Sequence, residues 1–217
     1  MTGKEQLLLE IYHRLLDEFG PQHWWPADTP LEVIVGAILT QNTSWKNVEQ
    51  AVRVLKDNEL LDLHALGEVP VGQLASLIRS AGYYNQKAQK LKAFVRWVEE
   101  HWQGDLGRFL GQETAQLREE LLGVRGIGPE TADSILLYAA NQPSFVVDAY
   151  THRIFSRHGW VQEQISYWEL QEFFMSNLQP DTALFQEYHA LLVRTGHLFC
   201  RRKPRCEPCP LRGWKGE

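Results

Sequence analysis

Apolar residues recur along much of the chain at the three- and four-residue spacing of an amphipathic helix. Over 5–19, Leu8, Ile11, Leu15 and Phe19 fall on one stripe with charges between them. The stretch 31–39 (LEVIVGAIL) is apolar almost throughout, which predicts a helix buried on most sides. Val48, Val52 and Leu55 continue the pattern over 44–57, and it returns at 71–80, 86–102, 114–122 and from 129 to about 140. No stretch of five or more residues alternates as a half-buried strand would, and no Asn-Gly or Asp-Gly turn joins two apolar runs. The chain is predicted to be all-α.

Breaks fall at FGPQHWWPADTP (19–30), LGEVPVG (66–72) and NQPSF (141–145), where proline and glycine interrupt the periodicity. They suggest a central helical bundle, 24–141, and a second helical lobe assembled from 1–23 and 142–217. With 44% hydrophobic and 23% charged residues, the chain can bury a core. No apolar run approaches the roughly 18 residues of a membrane span. Charges interleaved through MTGKEQLLLEIYHRLLDEF mark a helix and not a signal peptide, so a cytoplasmic protein without a membrane partner is expected. The net charge of −5 argues mildly against a nucleic-acid partner, but it averages over a local exception. Arg194, Arg201, Arg202, Lys203 and Arg205 crowd the segment RTGHLFCRRKPRC into a basic patch.

Two features carry candidate chemistry. In LLGVRGIGPETADSILLYA, Gly126-Ile127-Gly128 separates two helical runs, and Pro129 takes the first helical position, where its missing N–H costs nothing. Glu130 follows in the first turn, where the helix dipole favours a carboxylate. Glycines permit a left-handed turn and leave backbone N–H groups bare enough to hold a phosphate oxygen. Further on, Asp148 stands alone in the apolar run VVDAY. Taken alone, the glycines fit an ordinary helical corner equally well, and an N-cap for a helix beginning near Tyr150 is the alternative role for Asp148.

The spacing between them narrows the choice. Gly126-Ile127-Gly128-Pro129-Glu130-Thr131-Ala132, followed eighteen positions after Glu130 by the aspartate of Val146-Val147-Asp148-Ala149, resembles the helix-hairpin-helix DNA glycosylases of the endonuclease III superfamily. The resemblance implies a two-lobed helical fold with the active-site cleft between the lobes. It also implies a hairpin that docks on the DNA backbone through Gly126, Gly128, Glu130 and Thr131, and Asp148 as the catalytic carboxylate. LTQNTSW (39–45) looks like the segment whose glutamine enters the lesion gap, which makes Gln41 and Asn42 candidate DNA contacts. Bifunctional members carry a lysine where this chain has Glu130, and a carboxylate cannot form the Schiff base of strand cleavage. The resemblance thus implies a monofunctional enzyme acting on double-stranded DNA with damaged bases, as a monomer.

The aromatic residues suggest a branch of that superfamily. Neighbouring residues on a helix point about 100° apart, so Trp24 and Trp25 cannot both face a core from one. In a proline-bounded loop they can line a pocket. The run WWP at 24–26, LTQNT with Trp45 two positions on, SAGYYNQKAQKL (80–91), the hairpin and VVDAY together resemble the bacterial 3-methyladenine DNA glycosylases of the third class. Trp24, Trp25, Pro26, Trp45 and Tyr84 are then the candidate base pocket, suited to a cationic methylated purine, although each aromatic alone fits core packing. An endonuclease III-like enzyme for oxidised or mismatched bases is the alternative within the superfamily. A non-catalytic helix-hairpin-helix DNA-binding protein is the alternative outside enzymes.

All three cysteines, Cys200, Cys206 and Cys209, lie in CRRKPRCEPCPL, a clustering that suggests a metal and not a disulfide. The pattern resembles the four-cysteine [4Fe–4S] loop of endonuclease III, with Lys215 where the fourth cysteine stands and a first gap one residue short. Three readings stay open: a cluster with another fourth ligand, a loop without metal, and zinc held with a histidine such as His197. Arg201, Arg202 and Lys203 between these cysteines are candidate phosphate contacts in any of them.

Overall fold

The structure is a computed structural model and describes residues 3–214. Among them are twelve α-helices and no strand. They are α1 (Gly3–Phe19), α2 (Pro30–Leu39), α3 (Trp45–Asp57), α4 (Leu63–Glu68), α5 (Val71–Leu77) and α6 (Tyr84–Trp102). The chain continues with α7 (Leu106–Leu110), α8 (Thr114–Gly123), α9 (Pro129–Ser134), α10 (Ala149–Arg157), α11 (Tyr167–Met175) and α12 (Thr182–Leu198). A 3-10 turn spans Arg79–Ala81, and α9 runs on as a π-helical stretch, Ile135–Ala139. No helix among the described residues is long and apolar enough to cross a membrane.

The break expected over 66–72 is much narrower. Only Val69 and Pro70 separate α4 from α5, because the Asp62 carboxylate accepts from Ala65 N and closes a helix too short to show periodicity. Helix α12 also extends through Arg194, so part of the basic segment is helical. Contacts divide the chain into two units. One joins the residues up to Pro26 with those from Pro143 onward, and the other is Ala27–Gln142.

In the second unit α2 is the central element, with every residue from Leu31 to Leu39 buried. Thr29 caps it by accepting from Glu32 N, and Pro30 opens it. Each fully buried Leu, Ile or Val contributes about 1.5–3 kcal/mol, so this one helix anchors its unit. The Lys87 amine is buried and donates to Leu39 O (2.7 Å) and Ala81 O (2.8 Å), carbonyls at the end of α2 and of the 3-10 turn. Burial, with Lys90 nearby as a second cause, pushes that amine down to about 8. The two helices of the hairpin, α8 and α9, are joined by Arg118. Its Nε and Nη2 meet Asp133 Oδ1 and Oδ2 at 2.7 and 2.8 Å, and Asp133 is fully buried.

The first unit has an aromatic core. Phe145 stacks flat on Phe174 with centroids 3.9 Å apart, and Phe155, Phe185 and Tyr188 close around them edge-on. Tyr188 OH donates to Leu8 O at 2.9 Å and ties α12 to α1. Helices α10 and α12 approach closely because residue 196 is glycine. A Cβ there would lie 2.2 Å from the Tyr150 ring.

Replacing Asp133 with Ala should destabilise the protein by about 3 kcal/mol, because the Arg118 guanidinium loses both acceptors of a fork in a largely buried site. Denaturant unfolding measures this, and a loss below about 1 kcal/mol would place the pair among weak surface bridges.

Candidate active site

Asp148 is the N-cap residue of α10. Its Oδ1 accepts from Thr151 N at 2.7 Å and from Thr151 Oγ1 at 2.9 Å, so the carboxylate closes the first turn. Valines 146 and 147 are buried, whereas the Asp148 side chain keeps 13% of its surface. Capping occupies one oxygen. The other, Oδ2, lies 3.8 Å from Nε2 of His189, a buried residue of α12. Burial holds that imidazole below its ordinary range, while the Asp148 charge pulls it upward less strongly. His189 had no signature in the sequence, since only the packing of α12 on α10 brings it to the aspartate.

The hairpin uses its glycines unequally. Gly126 has φ +94°, and a Cβ there would sit 2.5 Å from Lys90 Cγ, so both backbone and space require glycine. Gly128 is extended, with φ −100° and ψ 179°, and a Cβ would meet nothing within 4 Å. The left-handed turn expected of both therefore belongs to Gly126 alone. Glu130 is exposed in the first turn of α9. Thr131, expected among the DNA contacts, is buried, and its hydroxyl accepts from Gln41 Nε2 at 3.0 Å. The same Nε2 donates to Gly126 O at 3.2 Å, and Gln41 Oε1 accepts from the Lys90 amine. The Gln41 side chain is thus bound to the hairpin, and entry into a lesion gap would require it to leave three partners. Asn42 beside it is exposed, with φ +56°.

A groove of about 590 Å³ runs beside the hairpin, lined by Lys90, Lys92, Arg96 and Arg125 along with Trp97 and Glu100. These cations were not singled out in the sequence, because they are scattered over α6 and the α8–α9 turn and only folding collects them. The Lys87 amine, by contrast, is held inside by two carbonyls and is no nucleophile in this arrangement.

Of the candidate pocket residues, Trp24, Trp25 and Pro26 belong to the first unit, and Trp45 and Tyr84 to the second. Trp24 and Trp25 are half-buried, with centroids 5.7 Å apart and planes at 52°. Pro26 is exposed. Trp45 opens α3 and donates to Glu49 Oε1 at 2.9 Å. Tyr84 opens α6, and the Arg79 guanidinium lies 5.7 Å from its ring centroid, so a cationic base would compete with that guanidinium at the ring.

The three cysteines are free thiols and line one cavity of about 430 Å³ with Arg157, Arg205, Arg212, His158 and Trp214. Burial raises the Cys209 thiol, and Cys200 and Cys206 push it the same way, as close neighbours would. Among the described residues no three Cys, His, Asp or Glu side chains converge as ligands of one metal ion. His197 is exposed and outside the cavity lining, and Lys215 lies outside the described residues. Helix α10 holds this loop. Arg153 Nε donates to Cys200 O at 2.6 Å, and Arg157 donates to Cys200 Sγ, Arg201 O and Arg202 O. Arg201, Arg202 and Lys203 are exposed. Three thiols with a cationic rim fit an anionic polynuclear iron–sulfur group in donor type and charge, although a fourth cysteine is lacking.

The chain as a whole is similar to known proteins. The sequence pattern of the HhH-GPD superfamily of base excision DNA repair proteins matches residues 35–180. A protein of Methanocaldococcus jannaschii provisionally named as a DNA repair glycosylase is 48% identical over 97% of this chain and 96% of its own. Endonuclease III of Thermotoga maritima is 29% identical over 95% and 91%. Among solved structures, the 3-methyladenine DNA glycosylase MagIII of H. pylori, bound to 1,N6-ethenoadenine, has a TM-score of 0.75 at 28% identity, covering 89% of this chain and 97% of that one. A non-covalent endonuclease III–DNA complex has a TM-score of 0.83 at 22% identity over 99% and 96%, which supports the fold. The chain therefore belongs to the HhH-GPD superfamily of base excision DNA repair proteins, as one of its DNA glycosylases.

Proposed function

We propose that the protein is a monofunctional DNA glycosylase that excises alkylated purines, 3-methyladenine foremost, and leaves an intact strand with an abasic site. The observation that carries this reading is a carboxylate whose Oδ1 is fixed by the cap while Oδ2 is left for chemistry, in a chain with Glu130 at the lysine position. The base that MagIII binds supports the alkylation branch. Thermotoga endonuclease III supports the second reading, an enzyme for oxidised or mismatched bases, and identification of the released base decides between the two.

The proposed chemistry needs one carboxylate. A purine methylated on a ring nitrogen is cationic, so it leaves as a neutral base when the electrons of the C1′–N bond move to the ring. The Asp148 charge stabilises the oxocarbenium-like sugar that develops, and its poorly screened setting strengthens the effect. Water then adds to C1′, and its proton passes to the carboxylate and on to solvent. The cations of the hairpin groove and the exposed Arg202 and Lys203 are proposed to hold backbone phosphates. An iron–sulfur cluster in the three-cysteine cavity is proposed to fix the loop that presents those two cations. No reaction step involves it.

Replacing Asp148 with Asn separates its two roles, since asparagine caps a helix as well as aspartate does. Base release from methylated DNA should fall by on the order of 100-fold or more, with thermal stability and binding to abasic-site DNA nearly unchanged. Turnover at the wild-type rate would remove Asp148 from the mechanism.

Borohydride should trap no covalent protein–DNA adduct during turnover, and the strand should break only after alkali or heat. An adduct would show an amine attacking C1′ and end the monofunctional reading.

Purified protein should carry iron and acid-labile sulfide with visible charge-transfer absorbance, all lost in Cys206→Ser. That variant should retain more base release than Asp148→Asn. Iron-free wild type with full activity would remove the cluster.

A further inference from the structure

Oδ1 of Asp148 is committed twice, to Thr151 N and Thr151 Oγ1. Rotation about the Cβ–Cγ bond moves both oxygens together, so these bonds already restrict Oδ2, and a contact at Oδ2 would complete the orientation of the carboxylate. The side chain that faces Oδ2 is His189, buried, with Nε2 at 3.8 Å. We propose that His189 is a positioning residue for Asp148, its Nε2–H fixing Oδ2 in the orientation from which the carboxylate acts on the sugar. The proposal rests on the glycosylase reading above and adds a residue to it.

Two observations support it. His189 is itself firmly placed, since its neighbour Tyr188 is fully buried and bonded to Leu8 O, and the next helix turns carry Gly196 against Tyr150. The separation of 3.8 Å exceeds a direct hydrogen bond. Catalytic hydrogen bonds are often long in the free enzyme and tighten when substrate is bound. The second observation is charge. The Asp148 carboxylate, on α10 packed against α12, acts on His189 and draws a proton toward it, against the larger effect of burial. Burial keeps the imidazole neutral at neutral pH, so it donates a hydrogen bond without cancelling the negative charge that the transition state needs. Protonation in acid would give a buried ion pair and withdraw that charge from the sugar.

The test compares wild type, His189→Gln and His189→Leu in single-turnover base release from duplexes containing methylated purines, uracil or 8-oxoguanine. Binding to a tetrahydrofuran abasic-site duplex and imidazole NMR titration accompany it. His189→Leu should slow release by on the order of 100-fold while abasic-site affinity changes less than about twofold, as expected for a misplaced reacting group. His189→Gln, whose amide N–H can donate, should recover most of the rate, and the acid limb of its pH profile should shift. In Asp148→Asn the His189 titration midpoint should fall, because the upward pull of the carboxylate is gone. The proposal is overturned if the leucine variant keeps the wild-type rate, or if both variants lose rate only in step with thermal stability. An unmoved His189 midpoint in Asp148→Asn overturns it as well. Wild type active on uracil or 8-oxoguanine but not on methylated purines would refute the substrate class alone, with His189 judged on the active duplex. Wild type inactive on all three would refute both.

Discussion

The hydrogen bond from Thr151 N to Asp148 Oδ1 closes the first turn of α10, and the candidate chemistry depends on it. A carboxylate at a helix N-terminus meets unpaired N–H groups and the positive end of the helix dipole, which hold it in place and favour negative charge there. Both conditions are what a group stabilising a developing cation requires. Capping and catalysis are therefore compatible demands on one side chain, divided between its two oxygens. The buried valines before it and the aromatic core behind it make the position rigid.

Helix α10 transmits this placement along its length. Near its start Tyr150 packs into the space that Gly196 leaves, and at its far end Arg153 and Arg157 hold the backbone of the cysteine loop. One short helix thus carries the carboxylate at one end and the exposed basic loop at the other. The second unit solves a parallel problem with different means. There Gln41 bridges Gly126 O and Thr131 Oγ1, Lys90 fills the space that Gly126 leaves, and the Arg118–Asp133 fork locks the two hairpin helices. These part-buried bonds reinforce one another and hold the turn in one shape.

Helix class and most of the long helices were legible in the sequence, because a stripe such as Leu8, Ile11 and Leu15 repeats with the helical period wherever one face is buried. The hairpin turn and Asp148 at a helix start were legible too, in GIGPETA and VVDAY. Helices α4 and α7 were not, since six and five residues hold too little of a period to register. Nor was the burial of Thr131, whose hydroxyl answers to Gln41 ninety positions earlier.

By itself, then, the sequence determined the local chemistry: which segments coil, and where a proline or a capping aspartate starts a helix. Tertiary structure decided what each polar group does once its neighbours arrive. It drew the Lys87 amine inward to two carbonyls, assigned the left-handed turn to Gly126 and left Gly128 extended, gathered Lys90, Arg96 and Arg125 into one groove, and set His189 opposite Asp148. The physical reason is that helix period and capping act over three or four residues, whereas burial, hydrogen-bond satisfaction and charge pairing depend on residues that only packing brings together.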